Sequence, residues 1–442
     1  MEPLETRLQR RMHVSLYALL FLTCLLGLSV LLEGCTDRCE AEVHYAYFEP
    51  VYQTRQGIQD ETRLVDPCPI SSVGKIYIKG SYLFVNDPGK GIHIIDNANP
   101  SQPVLKKFLQ IPGNFDLAIK GNSLYADSYV DLVTFDITDV LNIREVSRRE
   151  NVFNYFNTDV DFSYDAIRGV ITEWREVKTV EVNKSDCSFD YSAPLVSYNG
   201  GIAAESAAKF YSSLAIAPGN GSDPGVGGSM ARFTIAGNFL YTLSDGAILP
   251  FDITGENDPA PTASQYVAWD IETIFPYGNY LFLGSSSGMH IFDLTTPDAP
   301  QKVSTYQHIS SCDPVVVQDN YAYVTLRSGT ECQGFTNQLE VIDIADIANP
   351  SLVRIYPMTN PHGLGVDGDL LFICDGADGL KVFDAQDVRE IDNKLIKHYK
   401  NIHAYDAIPF NDILIMIGED GIFQYDYSDP ANITLLSKLA VE

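Results

Sequence analysis

"GLKVFDAQD", residues 379–387, has several near-copies within the same chain: "GIHIIDNANP" at 91–100, "GMHIFDLTTP" at 288–297 and "GIFQYDYSDP" at 421–430. Each is a glycine, a run of alternating and mostly apolar residues, and an aspartate that leads into a turn. Taking that aspartate as a marker gives Asp96, Asp136, Asp252, Asp293, Asp343, Asp384 and Asp426, with gaps of 40, 116, 41, 50, 41 and 42 residues. A period near forty marks repeated supersecondary units. The gap of 116 hides one degenerate copy, "DAIRGVITEWREVKTVEV" at 165–182, followed by a glycine- and serine-rich insertion at 183–228, so the units number eight.

Upstream of the marker strand each unit carries a strand pair around a Gly-Asn-like turn, as in "LAIKGNSLYAD" at 117–127 and "LGVDGDLLFICD" at 364–375. Alternation of period two with Gly, Asn and Asp at the turn is a hairpin signal. A turn such as "NPSQP" and a fourth strand such as "VLKKFLQI" complete the unit. Four antiparallel strands per forty residues make a β-propeller blade, and because no blade buries both faces alone, neighbours must stack and the ring must close. The expected fold is all-β, a β-propeller of eight four-stranded blades, with seven as the alternative if residues 152–182 pair with a neighbour instead.

On these residues the chain resembles the LVIVD-repeat propeller proteins of bacteria, whose repeat runs glycine, four mostly apolar residues, aspartate, a short turn with Asn/Asp-Pro, then another proline. "GIHIID", "GMHIFD", "LEVID", "GLKVFD" and "GIFQYD" fit the pattern, "DLVTFD" and "GAILPFD" fit it loosely, and the third copy lacks the marker. The resemblance covers residues 70–440 and implies an exported or surface-associated propeller, with no particular activity. Within the repeat, the glycine opens the strand with a backbone geometry that other residues resist, and the aspartate accepts hydrogen bonds from the turn. Calcium is the poorer account of the aspartates, which recur once per blade and form no DxDxDG loop.

At the N-terminus Arg7, Arg10 and Arg11 precede an uncharged apolar run from Val14 to Leu32. The run ends in Leu32-Glu33-Gly34-Cys35, which resembles a bacterial lipobox apart from Glu33, and a retained signal anchor is the competing reading. The expected organisation is a signal peptide over 1–34, an N-terminal linker over 35–69 and the propeller over 70–442, with the loop insertion at 183–228. Cys35 is the expected lipidation site, and the body is placed in the periplasm or on the outer surface, held to the membrane by the lipid alone. Cys312 and Cys332, at the two ends of one predicted hairpin, are the expected disulfide, and no CxxC spacing suggests zinc or redox work.

The 58 acidic against 30 basic residues give a net charge of −28, which repels nucleic acid and anionic lipid headgroups alike. No GxSxG, HExxH, Walker A or GxGxxG motif is present, so no catalytic residue is assigned. Sites on propellers are assembled from loops of different blades. Five or six residues before each Gly-Asn-like turn stand Lys75, Asp116, Asp159, Arg232, Glu272, Asp313, His362 and Asp406, with Phe115, Trp269, Asp270, Arg327 and Tyr405 nearby. They are expected to ring one mouth of the channel as a mainly acidic, solvated funnel. Its potential would draw a cationic or metal-bridged group, with weak binding of a divalent cation and no other cofactor. The expected function is a monomeric binding or scaffold module for a protein or glycan partner. The alternative is a hydrolase or lyase acting on extracellular saccharide or peptide, with His362 as general base. Cys35→Ala is expected to abolish fatty-acid labelling while leaving export intact; labelling that persists, or a mature chain that begins near Met1, favours the signal anchor.

Overall fold

The Gly-Asn-like turns between first and second strands open on a residue of positive φ, at Gly80, Gly121, Gly237, Gly278, Gly368, Asp319 and Asn411, a geometry that favours two-residue hairpins. The strand pairs they join are in register from the turn outward, for example Lys120 opposite Ser123 and Asp367 opposite Leu370. The computed structural model describes residues 41–153, 163–184, 226–227, 232–255, 257–268, 271–308, 314–328 and 336–442. Cys35, the Cys312–Cys332 pair, Asp159, Asp313, Trp269, Asp270 and most of the 183–228 insertion lie outside them. Cys68 and Cys374 are free thiols.

The chain divides into two compact units, Met1–Phe48 with Glu176–Tyr198, and Glu49–Arg175 with Asn199–Glu442. In the smaller unit the described residues belong to two strands, Ala41–Gln53 and Gly169–Lys184. The larger unit is the propeller.

Among the described residues eight antiparallel sheets are present, one for each copy of the repeat. Copies one, two and four to eight each supply the expected series of four strands; the fourth strand of copy four is split into Ala260–Pro261 and Gln265–Tyr266. The third copy departs from the four-strand pattern. Its strands Tyr164–Asp165 and Gly169–Lys184 form one hairpin, and Ala41–Gln53 completes a sheet of three. The first strand of copy two, Leu117–Lys120, packs directly against the first strand of copy four, Phe233–Ala236. Eight sheets, one for each copy, agree with the expected eight-bladed propeller; seven of them have the full four strands and that of copy three has three.

The segment expected as a linker has structure of its own. Thr54 caps a short helix, Arg55–Glu61, by accepting a hydrogen bond from the Gly57 amide. The strand Arg63–Val65 then adds to the outer edge of copy one, with Leu64 opposite Leu109.

Closure joins the last blade to the first. Ile408, Ile415, Ile417 and Ile422 of copy eight form one apolar cluster with Ile76, Ile78, Leu83 and Val85 of copy one. Ile70 makes a parallel bridge with Val441, and the Glu442 amide donates to the Ile70 carbonyl at 2.9 Å.

The marker aspartates are turn formers. In all seven, Oδ1 accepts from the backbone amide two residues on, at 2.5–3.1 Å. The hydroxyls of Thr138, Thr254, Thr295 and Ser428, and after them these backbone bonds, hold the carboxyls of Asp136, Asp252, Asp293 and Asp426 below the usual carboxylate range, and the Ala98 amide leads in doing so for Asp96. The marker glycine answers to a close approach. Gly379 has φ 91°, and a Cβ there would overlap the Tyr399 carbonyl oxygen of the outer strand, as one at Gly91 would overlap that of Leu109. Gly379→Ala is therefore expected to lower stability by about 2–4 kcal/mol in denaturant titration. A loss below about 0.5 kcal/mol, the range of an ordinary surface change, would contradict this account of the motif.

Candidate functional site

The starts of the first strands divide the expected ring into two sets. Lys75, Asp116, Arg232 and Asp406 stand four places before the last paired residue of their strands, whereas Glu272 and His362 stand five places before theirs. Glu272 sits in a bulge between Ile271 and Thr273, and His362 lies before the first paired residue of its strand, so the two sets do not share one register.

Three members of the first set are buried, which corrects the expectation of a solvated acidic mouth at these positions. Lys75 and Asp406 are 0% exposed and Asp116 is 2% exposed. The Lys75 ammonium lies 2.5 Å from Asp116 Oδ1. Asp116 Oδ2 accepts from the backbone amides of Arg232 and Phe233 at 2.8 and 3.0 Å, across the junction of copies two and four. Burial pushes the Lys75 pKa down, and Asp116, Asp127 and Asp406 push it back up. A charged pair out of water holds only when its remaining bonds are made, and here they are made to the next blade. These groups join blades. Arg232 and Glu272 remain half-buried. The centre-facing edge of copy one is also paired, because Val226–Gly227 at the end of the insertion lies antiparallel to Tyr77 and Ile78.

The second set opens onto a different chemistry. His362, 6% exposed, stands two residues before the first strand of copy seven, Leu364–Asp367. Its backbone is fixed by the amide, which donates to the Cys374 carbonyl at 2.7 Å, and by the carbonyl, which accepts from Thr325 Oγ1 at 2.6 Å. Arg327, at the end of the second strand of copy six, brings Nη1 to 3.0 Å from His362 Nδ1. Asn360 Nδ2 lies 3.3 Å from Nε2. From copy eight, Tyr405 and His403 set their rings edge-on to His362 at centroid distances of 5.4 and 6.1 Å, and His403 Nδ1 lies 3.2 Å from Glu419. Gly363 leaves room for Asp406, whose carboxylate fills the space a Cβ would take.

Burial first, then the Arg327 guanidinium and His403, push the His362 pKa down to about 2. A guanidinium only donates, so the imidazole nitrogen facing it must be unprotonated, and the geometry and the electrostatics agree. Three consecutive blades thus deliver a guanidinium, two imidazoles, an amide and a phenol to one place, over a neutral histidine floor. Arg327, His362 and Tyr405 were legible in the sequence. Asn360, His403 and Glu419 were not, although His403 stands two places before Tyr405 in the same loop. Among the described residues no group of three or more His, Cys, Asp or Glu is arranged to hold a metal ion. Burial raises the Cys374 thiol well above its ordinary value, which leaves it a poor nucleophile.

Known proteins bear on the repeat and the fold. Two segments, residues 71–109 and 311–358, match the LVIVD repeat. They are copies one and six. No curated protein matches the chain. Among solved structures it is similar to the computationally designed Ika8 protein, at 10% identity over 85% of this chain and 89% of that one, with a TM-score of 0.48. Saccharomyces cerevisiae Sqt1 is similar at 8% identity over 86% and 90%, TM-score 0.48, and Kluyveromyces lactis Hsv2 at 13% over 84% and 100%, TM-score 0.44. At these values the likeness adds nothing to what the sheets already establish.

The neutral histidine has a consequence in acid. The unfolded chain takes up a proton near the ordinary value of 6.5 and the folded chain does not until about 2. The stability that His362 contributes is therefore complete above pH 6.5 and is lost as pH falls toward 2. Between pH 7 and pH 5 the stability of the parent should fall more steeply than that of His362→Gln, by up to about 1.4 kcal/mol per pH unit. Urea titrations of both proteins at several pH values check this, and parallel slopes would refute it.

Proposed function

We propose that the protein is an exported, lipid-anchored propeller that binds a protein or glycan partner through the patch formed by Arg327, Asn360, His362, His403 and Tyr405. The observation that supports this reading is the convergence of these side chains from three successive blades, with Arg327, Asn360, His403 and Tyr405 half-buried around the buried His362. Arg327 and Asn360 offer donors, and Tyr405 and His403 offer ring faces. The group that suits them carries acceptors, a carboxylate or the hydroxyls of a sugar ring stacked on the tyrosine. This replaces the cationic ligand expected from the sequence, because Asp116 and Asp406 are buried, and Asp116 is committed to the neighbouring blade.

Binding is favoured over hydrolysis or lysis by the state of His362. A general base works best with a pKa near the operating pH, and a value of about 2 lies far from that. Export and anchoring rest on the Arg-rich start, the apolar run and Cys35. The protein is taken to act as a monomer, with the membrane reached through the lipid only. A glycan and peptide array tests the patch. For a ligand found on it, Arg327→Ala and Tyr405→Ala should each weaken binding by about 1–2 kcal/mol, with graded losses at Asn360 and His403. A ligand held equally by the parent and both variants rules the patch out. A ligand that is cleaved, with cleavage abolished by His362→Gln alone, supports the enzyme instead.

A further inference from the structure

The fourth strands of the seven blades are the outer edges of their sheets, and their charge is opposite to that of the chain. Together they hold nine Lys and Arg against one acidic residue, Glu145, in a protein with 58 acidic and 30 basic residues. Lysine on an exposed edge guards against edge-to-edge pairing, and that protective role is the simplest account. One edge, however, is occupied. On copy one the chain's own Arg63–Val65 pairs with Phe108–Gln110, and Asp66, the next residue, reaches back to Lys107 at 2.9 Å. Two apolar residues and an acid therefore dock on an edge that carries a base.

The same register recurs on copy seven. Lys107 stands opposite Ile94 of its marker strand, and Lys397 stands opposite Val382, the equivalent position. Tyr399 takes the place of Leu109, and Leu395 at the start of the strand is 47% exposed. Among the described residues nothing pairs with the free side of Leu395–Tyr399, and Lys397 has no carboxylate within ion-pair distance; its ammonium lies 5.6 Å from the centre of the Tyr399 ring. Copy six carries Arg354 at this register but ends in Pro357, which lacks a backbone donor for an added strand. Copy eight has Ser437 there.

We propose that the outer edge of copy seven, Leu395–Tyr399, is a strand-addition site for an extended segment of a protein partner that reads apolar–apolar–acidic, with Lys397 taking the acid as Lys107 takes Asp66. Backbone hydrogen bonds supply the general attraction and the ion pair sets the register. Screening over about 8 Å at physiological salt leaves the local lysine, rather than the distant net charge, to decide the contact.

A labelled peptide with the sequence of residues 62–67, Thr-Arg-Leu-Val-Asp-Pro, is the probe, and fluorescence anisotropy with the full chain is the readout. Saturable binding is expected, weakened about fivefold by Lys397→Glu or by asparagine in place of the peptide aspartate. Restoration is expected when Lys397→Glu meets a peptide with lysine at that place. No saturable binding at millimolar concentration overturns the proposal. So does binding that responds to Lys107→Glu and not to Lys397→Glu, since the peptide is then displacing the native strand on copy one. If sedimentation shows instead that the edge pairs with a second copy of the chain and Lys397→Glu leaves that dimer intact, the proposal also fails.

Discussion

The Asp116 carboxylate is the group on which closure depends. A propeller has no stable open form, because each blade's apolar face must be covered by the next. Where the third copy withdraws from the series, copies two and four have to meet directly, and their first strands are held together by two backbone amides of copy four donating to one carboxylate of copy two. Lys75 of copy one neutralises that carboxylate from the other side. Three blades are thereby tied through one buried ion pair. Such pairs are weak contributors to net stability but costly to break from one side, since the remaining charge is left without compensation. The junction of copies one, two and four thus rests on a buried ion pair, whereas that of copies eight and one is packed from Ile, Leu and Val.

The outer part of each blade is organised differently, through local bonds that repeat. The marker aspartate folds the turn after the third strand, and the marker glycine lets the fourth strand's carbonyl approach the third. Neither residue needs anything outside its own blade. The repeat is conserved within the chain where the constraint is local, and it varies where a blade must meet its neighbour, at Lys75, Asp116 and Gly363. Function follows the second class of position. The His362 patch exists because copies six, seven and eight place unlike residues at like places.

This division explains what could be read from the sequence. Period, hairpin turns and the turn-forming aspartates were legible because glycine, asparagine and aspartate have backbone preferences that act at short range. The burial of Lys75 and Asp116 was not, because a lysine at a strand start reads as solvated until its partner on another blade is known. Nor was the split of the ring into two sets. A bulge at Glu272 and a strand that begins only after His362 put these two out of register with Asp116, and neither feature has a signal in the sequence. The third copy misled for a further reason: its long strand Gly169–Lys184 has the alternation of a blade strand, but its sheet is completed by Ala41–Gln53, a segment read as linker.

The bridge between Ile70 and Val441 has a consequence for how the chain reaches its fold. The four strands of the first blade are complete by Gln110, yet its apolar face is covered by the isoleucines of copy eight, which are made long after it. Contacts between the two ends of a chain are slow to form, because a long loop must be closed before they stabilise anything. Translation or translocation in progress therefore leaves an unsealed stack with one sticky face at its start. That face is shut only when copy eight has been made and Val441 can bridge Ile70, so closure of the ring waits on its eighth repeat.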